Sequence, residues 1–256
     1  MRRLLRGWRP LLVIVVLLGI WEVYVDAGGA DPLVLPPPHA VAKALFVDRS
    51  LLWSNFTVTA EEVLLGILVA AVGALAVSIA IHFSPTLRKA IYPLLVGSQA
   101  VPVPVFAFVL VLWLGFGLAP KLIVVAIVSF FPIVVTTLAG LAAVDPDLVK
   151  LMQTFDSPRL RTFRHVEFPS ALPGVVTGAK IAVAVSVIGA VFAELAGSNS
   201  GLGYLYQQSE NQLLMPRAYA TVLILSVFAI LLFSLLTLAE RLALPWAYQP
   251  PRESSP

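Results

Sequence analysis

Very few side chains in this sequence could take part in bond-making chemistry. The chain has no cysteine, which removes thiolate nucleophiles, thiolate metal sites and disulfide bridges. Its three histidines, His39, His82 and His165, are far apart in sequence, so a histidine metal cluster is not expected. Neither a Ser-His-Asp order nor a pair of carboxylates at catalytic spacing is visible. The sequence therefore predicts a protein that is not an enzyme and that holds no metal and no cofactor.

A glycine-rich stretch at residues 197–205, GSNSGLGYL, has the composition of a phosphate-binding loop. No Lys-Ser or Lys-Thr pair follows it, and no strand precedes it, as a nucleotide-binding loop requires. The stretch is better explained as a tight turn at the outer end of an apolar segment. Nucleotide binding by this chain is therefore not expected.

One carboxylate is predicted to lie deep in an apolar segment. Glu194 falls near the outer end of a stretch long enough to cross a membrane, where a charged group costs roughly 2.5–3.5 kcal/mol at a central position. Two interpretations stay open. Glu194 either contacts a solute or a gate, or it makes a structural hydrogen bond that caps the turn at 197–199.

Another apolar segment is interrupted by the run QAVPVP, residues 99–104. Prolines lack a backbone donor, and the carbonyl groups that they leave free survive in a membrane only beside protein or a water-filled cavity. We favour a pathway-lining role over a simple packing kink. The predicted lining residues are Ser98, Gln99, Pro102 and Pro104, with Glu194 from the later segment.

The densest run of charged residues is the segment 145–174, which lies between two long apolar segments. A connection of this length usually carries a function or is disordered. Its cap residues predict two helices instead of disorder. Asp147 is expected to cap the first helix, and Asp156 and Ser157 are expected to cap the second, with Pro158 at its first helical position.

Along the second of these helices, Leu160, Phe163 and Val166 recur at three-residue spacing and are predicted to share one side. Basic side chains are expected to cover the rest of its surface, namely Arg159, Arg161, Arg164 and His165. A capped helix with an apolar edge and a basic rim is typical of a surface that docks into another protein. The alternative is a solvated basic loop that only satisfies the positive-inside rule.

The elements that must position these residues are transmembrane helices. The chain is 59% hydrophobic and 12% charged, which a soluble domain of this length would not need. Apolar runs near the ~20 residues that cross the hydrocarbon core predict an all-α polytopic membrane protein with about six spans. These predicted spans cover residues 10–25, 55–81, 90–114, 122–142, 175–196 and 219–242.

The placement of Lys and Arg predicts the orientation. Thirteen of the 17 Lys and Arg residues fall in the pieces assigned to the inside and four in those assigned to the outside, so both termini are expected in the cytoplasm. The predicted divisions are a cytoplasmic N-terminus, 1–9, a transmembrane domain, 10–244, and a cytoplasmic tail, 245–256. The net charge of +3 is too small to indicate a nucleic-acid partner, so the lipid bilayer is the expected environment.

The polar segment, together with the stretch AELAGSNSGLGYLYQQSENQ, resembles the membrane-spanning permease subunits of bacterial ABC importers. Those permeases carry a cytoplasmic loop with the pattern Glu-Ala-Ala, three residues, Gly, nine residues, Ile, one residue and Leu-Pro. At the same spacing this sequence has Lys150-Leu151-Met152, Asp156, Val166 and Phe168-Pro169. The spacing is kept, but the opening triplet and the central Gly differ. Asp tolerates a left-handed turn better than most residues, so the bend is expected to survive.

The resemblance implies a type I ABC importer permease in the bacterial inner membrane. Its expected partners are a separate ABC ATPase subunit, an extracytoplasmic solute-binding protein and a second permease subunit, expected to be another copy of this chain. The second helix of the segment 145–174 would be the coupling helix, held by Pro158 at its start and by Pro169 and Pro173 at its end. The residues implied in ATPase coupling are Asp156, Ser157, Pro158, Arg159, Leu160, Arg161, Phe163, Arg164 and Val166.

Among such importers, the stretches LVLWLGFGLAPKLIVVAIVSFFPIVVTTLAGLAAVDPDL and SVIGAVFAELAGSNSGLGYL are most similar to the permeases for the pyrimidine precursor of thiamine. Permeases for nitrate, taurine and other sulfonates belong to the same branch and give the alternative solute class. A rival of another class is a secondary transporter that couples protons through Glu194. An intramembrane enzyme would need a nucleophile or metal ligands inside the spans, and it is a weaker rival because Cys is absent and His82 lies at the end of a span.

Overall fold

The computed structural model describes residues 8–248, and the regular structure within that range is helical. The α-helices, in chain order, are α1 (Trp8–Asp26), α2 (Pro38–Val47), α3 (Arg49–Phe83), α4 (Pro85–Ser98), α5 (Val103–Leu114), α6 (Leu118–Ala142), α7 (Pro146–Thr154), α8 (Arg159–Thr162), α9 (Phe168–Gly197), α10 (Leu202–Asn211) and α11 (Met215–Ala243). A π-helical turn, Phe163–Glu167, joins α8 to α9, and a 3₁₀ turn, Pro245–Tyr248, follows α11. Residues 1–7 of the predicted N-terminal segment, 1–9, and residues 249–256 of the predicted tail, 245–256, lie outside the described residues.

Internal contacts divide the chain into two compact units. The first contains residues up to 59 together with 199–226. The second contains 60–198 together with the residues from 227 onward. The break between α4 and α5, the predicted coupling segment and Glu194 all belong to the second unit.

Within the first unit, two side chains of α3 cap the start of α10. The Asn55 Oδ1 atom accepts a hydrogen bond from the backbone N–H of Gly201, and the Thr59 Oγ1 atom accepts one from Leu202, each at 2.8 Å. Helix N-termini leave N–H groups without intrahelical partners, and these two are satisfied from a different helix. The glycine-rich stretch at 197–205 therefore contains the capped start of α10.

The predicted class, an all-α polytopic membrane protein, is confirmed, with fewer independent spans than the six expected. Four helical stretches in the described part of the chain are long and apolar enough to cross a membrane: Arg49–Phe83, Leu118–Ala142, Arg159–Gly197 and Met215–Ala243. A fifth crossing results if α4 and α5 count together as one broken span. The predicted first span, 10–25, lies within α1, a helix of 19 residues that is not among these four.

The predicted third span, 90–114, is interrupted in the structure, as the prolines of its sequence indicated. The chain instead forms α4 and α5, which meet at 99° across the break. Helix α4 has 14 residues and α5 has 12, so at 1.5 Å per residue each is only about 20 Å long. Pro102 has extended backbone angles (φ −64°, ψ 121°) and begins α5, which explains why the helix cannot run through the break.

Helices α6 and α9 pack closely because glycines on α9 meet the backbone of α6. A Cβ atom on Gly178 would lie 2.2 Å from Thr136 Oγ1 and 2.8 Å from Ile133 Cα, and one on Gly174 would lie 2.6 Å from the Thr136 carbonyl oxygen. Small residues at such positions let membrane helices approach to van der Waals contact. The pair forms the wall against which α5 and the break are placed.

Local structure in the segment 145–174 differs from the prediction at both caps. Asp145, not Asp147, caps α7, since its Oδ1 atom accepts a hydrogen bond from the Asp147 N–H at 2.9 Å. Pro158 is the N-cap of α8 and makes no side-chain cap bond, so α8 begins one residue later than expected. Pro146 occupies the first helical position of α7, which fits the preference of proline for that position.

The end of the predicted coupling helix also needs correction. Helical structure continues from Arg159 through the π-helical turn and α9 to Gly197, a stretch of 39 residues. Pro169 lies in the first turn of α9 and Pro173 inside it, so neither proline stops the helix. A π-helical turn widens the helix locally, and such turns are frequent at functional sites.

Candidate functional site

A cavity of about 360 Å³ lies against the break between α4 and α5. Ser98 and Gln99 line it from the break, Phe106 from α5, Val128 from α6, and Gly189 from α9. The sequence placed Ser98 and Gln99 on a pathway wall, and both lie at this cavity. Pro102 and Pro104 are not among its lining residues; they begin α5 instead.

The polar groups of the cavity are concentrated at the break. The Ser98 hydroxyl donates a hydrogen bond to the Leu95 carbonyl oxygen at 2.7 Å. The Gln99 Nε2 atom lies 3.4 Å from Ser98 Oγ, a long contact that leaves the amide able to bind another group. The remaining lining residues are apolar, and this mixture of an apolar wall with a few polar groups is typical of a small-molecule site.

Glu194 does not line this cavity. It is only 1% exposed, and its carboxyl group lies beside that of Glu62, which is also 1% exposed. The Lys121 Nζ atom donates to Glu62 Oε1 at 2.7 Å. Glu194 therefore belongs to a buried group of ionisable side chains from α3, α6 and α9, which we call the Glu62–Lys121–Glu194 cluster.

Two members of this cluster, Glu62 and Lys121, were not predicted from the sequence. Glu62 lies inside the predicted second span, so Glu194 is not the single carboxylate in the spans, and hydropathy averaged over the span hid the exception. Lys121 was assigned to an outer turn, because the start of α6 was placed after it. The sequence did contain a signal for this pair: it has an acidic residue in one span and a basic residue at the edge of another, and such groups pair inside membranes.

The predicted coupling residues are divided between a surface and a buried side. Exposed positions include Asp156, Arg159, Leu160, Arg161 and Arg164, and Leu160 is 70% exposed. Asp156 has φ +49°, which confirms a left-handed residue at this bend. The exposed set keeps the predicted combination of basic side chains with one apolar residue.

The predicted apolar edge is not continuous. Phe163 is buried, Val166 is half-buried and Leu160 points outward, so the three residues do not share one side. Phe163 packs against Phe83 at the end of α3, with ring centroids 5.0 Å apart, and against Phe168 at 5.7 Å. Tertiary packing thus takes Phe163 out of the docking surface and uses it to hold the coupling segment to α3.

A polar contact accompanies this aromatic packing. The His82 Nε2 atom lies 2.9 Å from Glu167 Oε2, and both side chains are less than one-fifth exposed. The Arg159 guanidinium carbon lies 5.1 Å from the centre of the Phe83 ring, within cation–π range. The His82–Glu167 pair and the rings therefore form one junction between the end of α3 and the π-helical turn, which the sequence did not predict.

Among the described residues, one group has the composition of a metal site. Glu22, Asp26 and His39 each offer a ligand atom within 4.8 Å of the others. Glu22 already accepts a hydrogen bond from the His39 backbone N–H at 3.1 Å and contacts the His39 ring. These contacts hold the start of α2 to α1, and this structural role explains why the side chains lie together.

The region that contains these features is similar to a known protein family. The family described as "Binding-protein-dependent transport system inner membrane component" matches residues 62–244, which include the break, the coupling segment and the charged cluster. The chain belongs to this family. Like the family, it is a multi-pass inner-membrane component of a transport system, an ABC importer permease for small solutes, and not an enzyme.

Two bacterial relatives resemble this permease from end to end. A "Probable ABC transporter permease protein" of Haemophilus influenzae is 36% identical over 238 residues, which cover 93% of this chain and 97% of the relative. The "Formylaminopyrimidine transport permease protein ThiX" of Halalkalibacterium halodurans is 33% identical over 247 residues, 96% and 98% of the two chains. The taurine permease TauC of Escherichia coli is 28% identical over 239 residues, covering 90% of this chain and 86% of the relative.

A solved structure has a similar fold. The chain from "Crystal structure of an amino acid ABC transporter with histidines" superimposes with a TM-score of 0.60 at 15% identity. The match covers 77% of this permease and 96% of that chain. At this identity the likeness concerns the fold alone. Membership of the family itself implies an ATPase and a solute-binding protein as partners.

Proposed function

We propose that two copies of this permease form the translocation pathway of an importer for the pyrimidine precursor of thiamine or a similar small heterocycle. The observation that carries the proposal is the match, over nearly the full length of both chains, to a relative named for formylaminopyrimidine transport. The cavity at the break supports a small solute with few polar groups. Solute then passes beside Ser98 and Gln99.

The energy for this transport comes from another chain. The exposed residues Arg159, Leu160, Arg161 and Arg164 dock onto an ABC ATPase, and both termini lie on the same cytoplasmic side. ATP-driven closure of the ATPase pair displaces α8. Because the π-helical turn is packed and hydrogen-bonded to the end of α3, displacement of α8 moves α3 and α9 together.

The proposal is tested by purifying the permease from native membranes and identifying the ATPase and the binding protein that accompany it. The complex is then reconstituted in proteoliposomes with external binding protein and internal ATP. We expect uptake of formylaminopyrimidine that requires ATP and binding protein and that persists with a protonophore. Uptake by the permease alone, or uptake abolished by the protonophore, would contradict an ATP-driven importer and favour a proton-coupled transporter.

A second solute class has support from the relatives. Taurine and aliphatic sulfonate permeases match this chain at 28% identity over at least 90% of its length. Specificity in the assembled importer is set largely by the binding protein, so the same assay includes taurine and an aliphatic sulfonate. ATP-dependent uptake of a sulfonate in preference to formylaminopyrimidine would replace the proposed solute while leaving the importer itself in place.

A further inference from the structure

The residues that line the cavity at the break indicate which solutes the permease itself accepts, in addition to the selection made by the binding protein. We propose that it is a selective subsite of the permease, which accepts an uncharged, flat nitrogen heterocycle and rejects organic anions, with Gln99 as its specificity-determining residue. This inference rests on the proposed function as an importer permease. It concerns the permease itself and adds a second selection step after the binding protein.

In the part of the chain that the structure describes, the cavity offers no cation to an anionic solute. None of the described residues that line the cavity is charged. The two helices that form its long wall carry one lysine each, Lys121 on α6 and Lys180 on α9. Lys121 is bound to Glu62 at 2.7 Å and Lys180 to Glu240 at 2.5 Å. Both cations are therefore engaged with carboxylates.

Basic residues of α4 are also remote from the cavity. Arg88 and Lys89 lie in the first turns of α4, nine or more residues before Ser98, which corresponds to about 14 Å along the helix. A sulfonate or carboxylate that packs against the apolar wall would lose part of its hydration without gaining a cation, which is unfavourable. An uncharged solute does not meet this penalty.

The amide of Gln99 matches the hydrogen-bonding edge of an aminopyrimidine. A glutamine side chain presents an N–H donor next to a carbonyl acceptor, and in nucleic-acid recognition this pair binds the amino group and adjacent ring nitrogen of adenine. An aminopyrimidine presents the same pair of groups on its edge. Among the residues that the structure describes, the Gln99 side chain has one hydrogen-bond contact, the long 3.4 Å approach to Ser98, so its amide can meet such an edge.

The size and the lining of the cavity also fit a flat heterocycle. The cavity volume of about 360 Å³ is near the lower end of the range for small-molecule sites, which fits a single ring with short substituents. Phe106 supplies an aromatic face on which a flat heterocycle can stack. Gly189 lets α9 pack closely against α6 in the wall of the cavity, since a Cβ atom there would lie 2.8 Å from Val128 Cγ2.

The position of the cavity at the break also fits a solute pathway. The break between α4 and α5 interrupts regular helix within an otherwise apolar segment. Non-helical backbone at membrane depth is stable only where protein covers it or where it lines a water-filled cavity. Gln99 is exposed in this chain, and an exposed amide beside such a break fits an aqueous pathway.

The experiment measures binding to the permease–ATPase complex in lipid nanodiscs without binding protein. Labelled formylaminopyrimidine is the probe in equilibrium dialysis, and ethanesulfonate is the competitor. We expect the wild-type complex to bind the probe, with no competition from ethanesulfonate. Gln99→Leu is expected to weaken binding at least tenfold, while Gln207→Leu, which changes an exposed glutamine of α10, leaves it unchanged.

Gln99→Arg tests the charge argument in the opposite direction. The added cation should allow labelled ethanesulfonate to bind, a gain that misfolding cannot produce. Equal probe binding by wild type and Gln99→Leu, or competition by ethanesulfonate in the wild type, would overturn the subsite. Absence of probe binding to the wild type would overturn it as well.

A separate readout distinguishes this proposal from the proposed function. ATP hydrolysis stimulated by loaded binding protein, and ATP-dependent uptake, are measured on the same preparations. Normal uptake with binding that does not depend on Gln99 removes only the subsite. Absence of ATP-dependent uptake in the wild type removes the proposed function, whatever the dialysis result.

Discussion

The Nζ atom of Lys121 lies 2.7 Å from Oε1 of Glu62, and the two side chains are buried together where α6 meets α3. The carboxyl group of Glu194, on α9, lies beside Glu62. Charged groups inside a membrane protein persist only when they are paired, because removal from water costs several kcal/mol per ion. The ion pair therefore joins α3 to α6, the helix that contributes Ile127 and Val128 to the wall of the cavity.

Lys121→Met is expected to destabilise the permease by roughly 3–5 kcal/mol, because it leaves Glu62 buried without its counter-ion. The measurement is the free energy of unfolding of the detergent-solubilised permease in a denaturant titration. The double variant Lys121→Met, Glu62→Gln removes both charges and should recover most of the loss. Equal destabilisation in the single and double variants would show that the ion pair itself is not what matters.

Removal of the His82–Glu167 contact is expected to reduce transport per ATP hydrolysed. His82→Ala and Glu167→Ala should each lower the ratio of solute uptake to ATP hydrolysis, because displacement of α8 would no longer reach α3 fully. In a double-mutant cycle of stability the pair should show an interaction energy of roughly 0.5–3 kcal/mol. The matched control is Asp147→Asn, which breaks the exposed ion pair to Lys150 on α7.

That control separates a transmitting contact from general damage to the coupling segment. The Asp147 and Lys150 side chains are 82% and 72% exposed, and exposed pairs contribute little to stability. Asp147→Asn should leave the uptake-to-hydrolysis ratio unchanged. Equal ratios in wild type, His82→Ala and Glu167→Ala would exclude a coupling role for the junction.

Charge reversal at Arg161 and Arg164 is expected to prevent docking of the ATPase. Both side chains are exposed, so Arg161→Glu and Arg164→Glu should leave the fold intact while placing negative charge on the docking surface. The measurement is the amount of ATPase that co-purifies with the tagged permease, at two salt concentrations. Undiminished co-purification by the double variant would mean that α8 is not the docking helix.

Gly178→Ala is expected to push α6 and α9 apart and to destabilise the permease by roughly 1–3 kcal/mol, as overpacking does. The added Cβ atom would meet Thr136 Oγ1 at 2.2 Å and backbone of α6 at 2.8 Å. Gly73→Ala is the matched control, because its Cβ would meet only the edge of the Phe130 ring at 3.6 Å. Denaturant titrations should rank Gly178→Ala well below Gly73→Ala in stability, and similar stabilities would contradict the observed packing.

Features that depend on one or two residues were readable from the sequence. The break after Gln99 follows from two prolines close together, and the bend at Asp156 follows from a residue type that tolerates positive φ. The glycines at which helices approach each other closely were harder to identify from the sequence. Gly66 lies against Val125, whereas Gly73 has ordinary contacts. Among the described glycines, the shortest distance to the backbone of another helix is that from a Cβ atom on Gly174 to the Thr136 carbonyl oxygen, 2.6 Å.

Features that depend on distant residues were not readable in this way. Leu160 and Phe163 have a spacing that permits the same helix side, yet Phe163 turns inward because Phe83 and Phe168 form a cluster with it. Lys121 and Glu62 are 59 residues apart, and their pairing requires α3 and α6 to be neighbours. Spacing along one helix contains no information about either neighbour.

The sequence by itself determined that this protein is a helical membrane permease, that one apolar segment is broken and that a basic segment lies between two spans. Hydropathy and the backbone restrictions of proline depend on consecutive residues, so they can be recognised in the sequence without the tertiary structure. Only the tertiary structure decided which buried charges pair, which aromatic side chain holds the coupling segment and which polar groups meet at the cavity. Those outcomes depend on contacts between helices far apart in the chain. Burying a polar or charged group without a partner is more unfavourable than local conformational preferences are favourable, so the tertiary contacts decide.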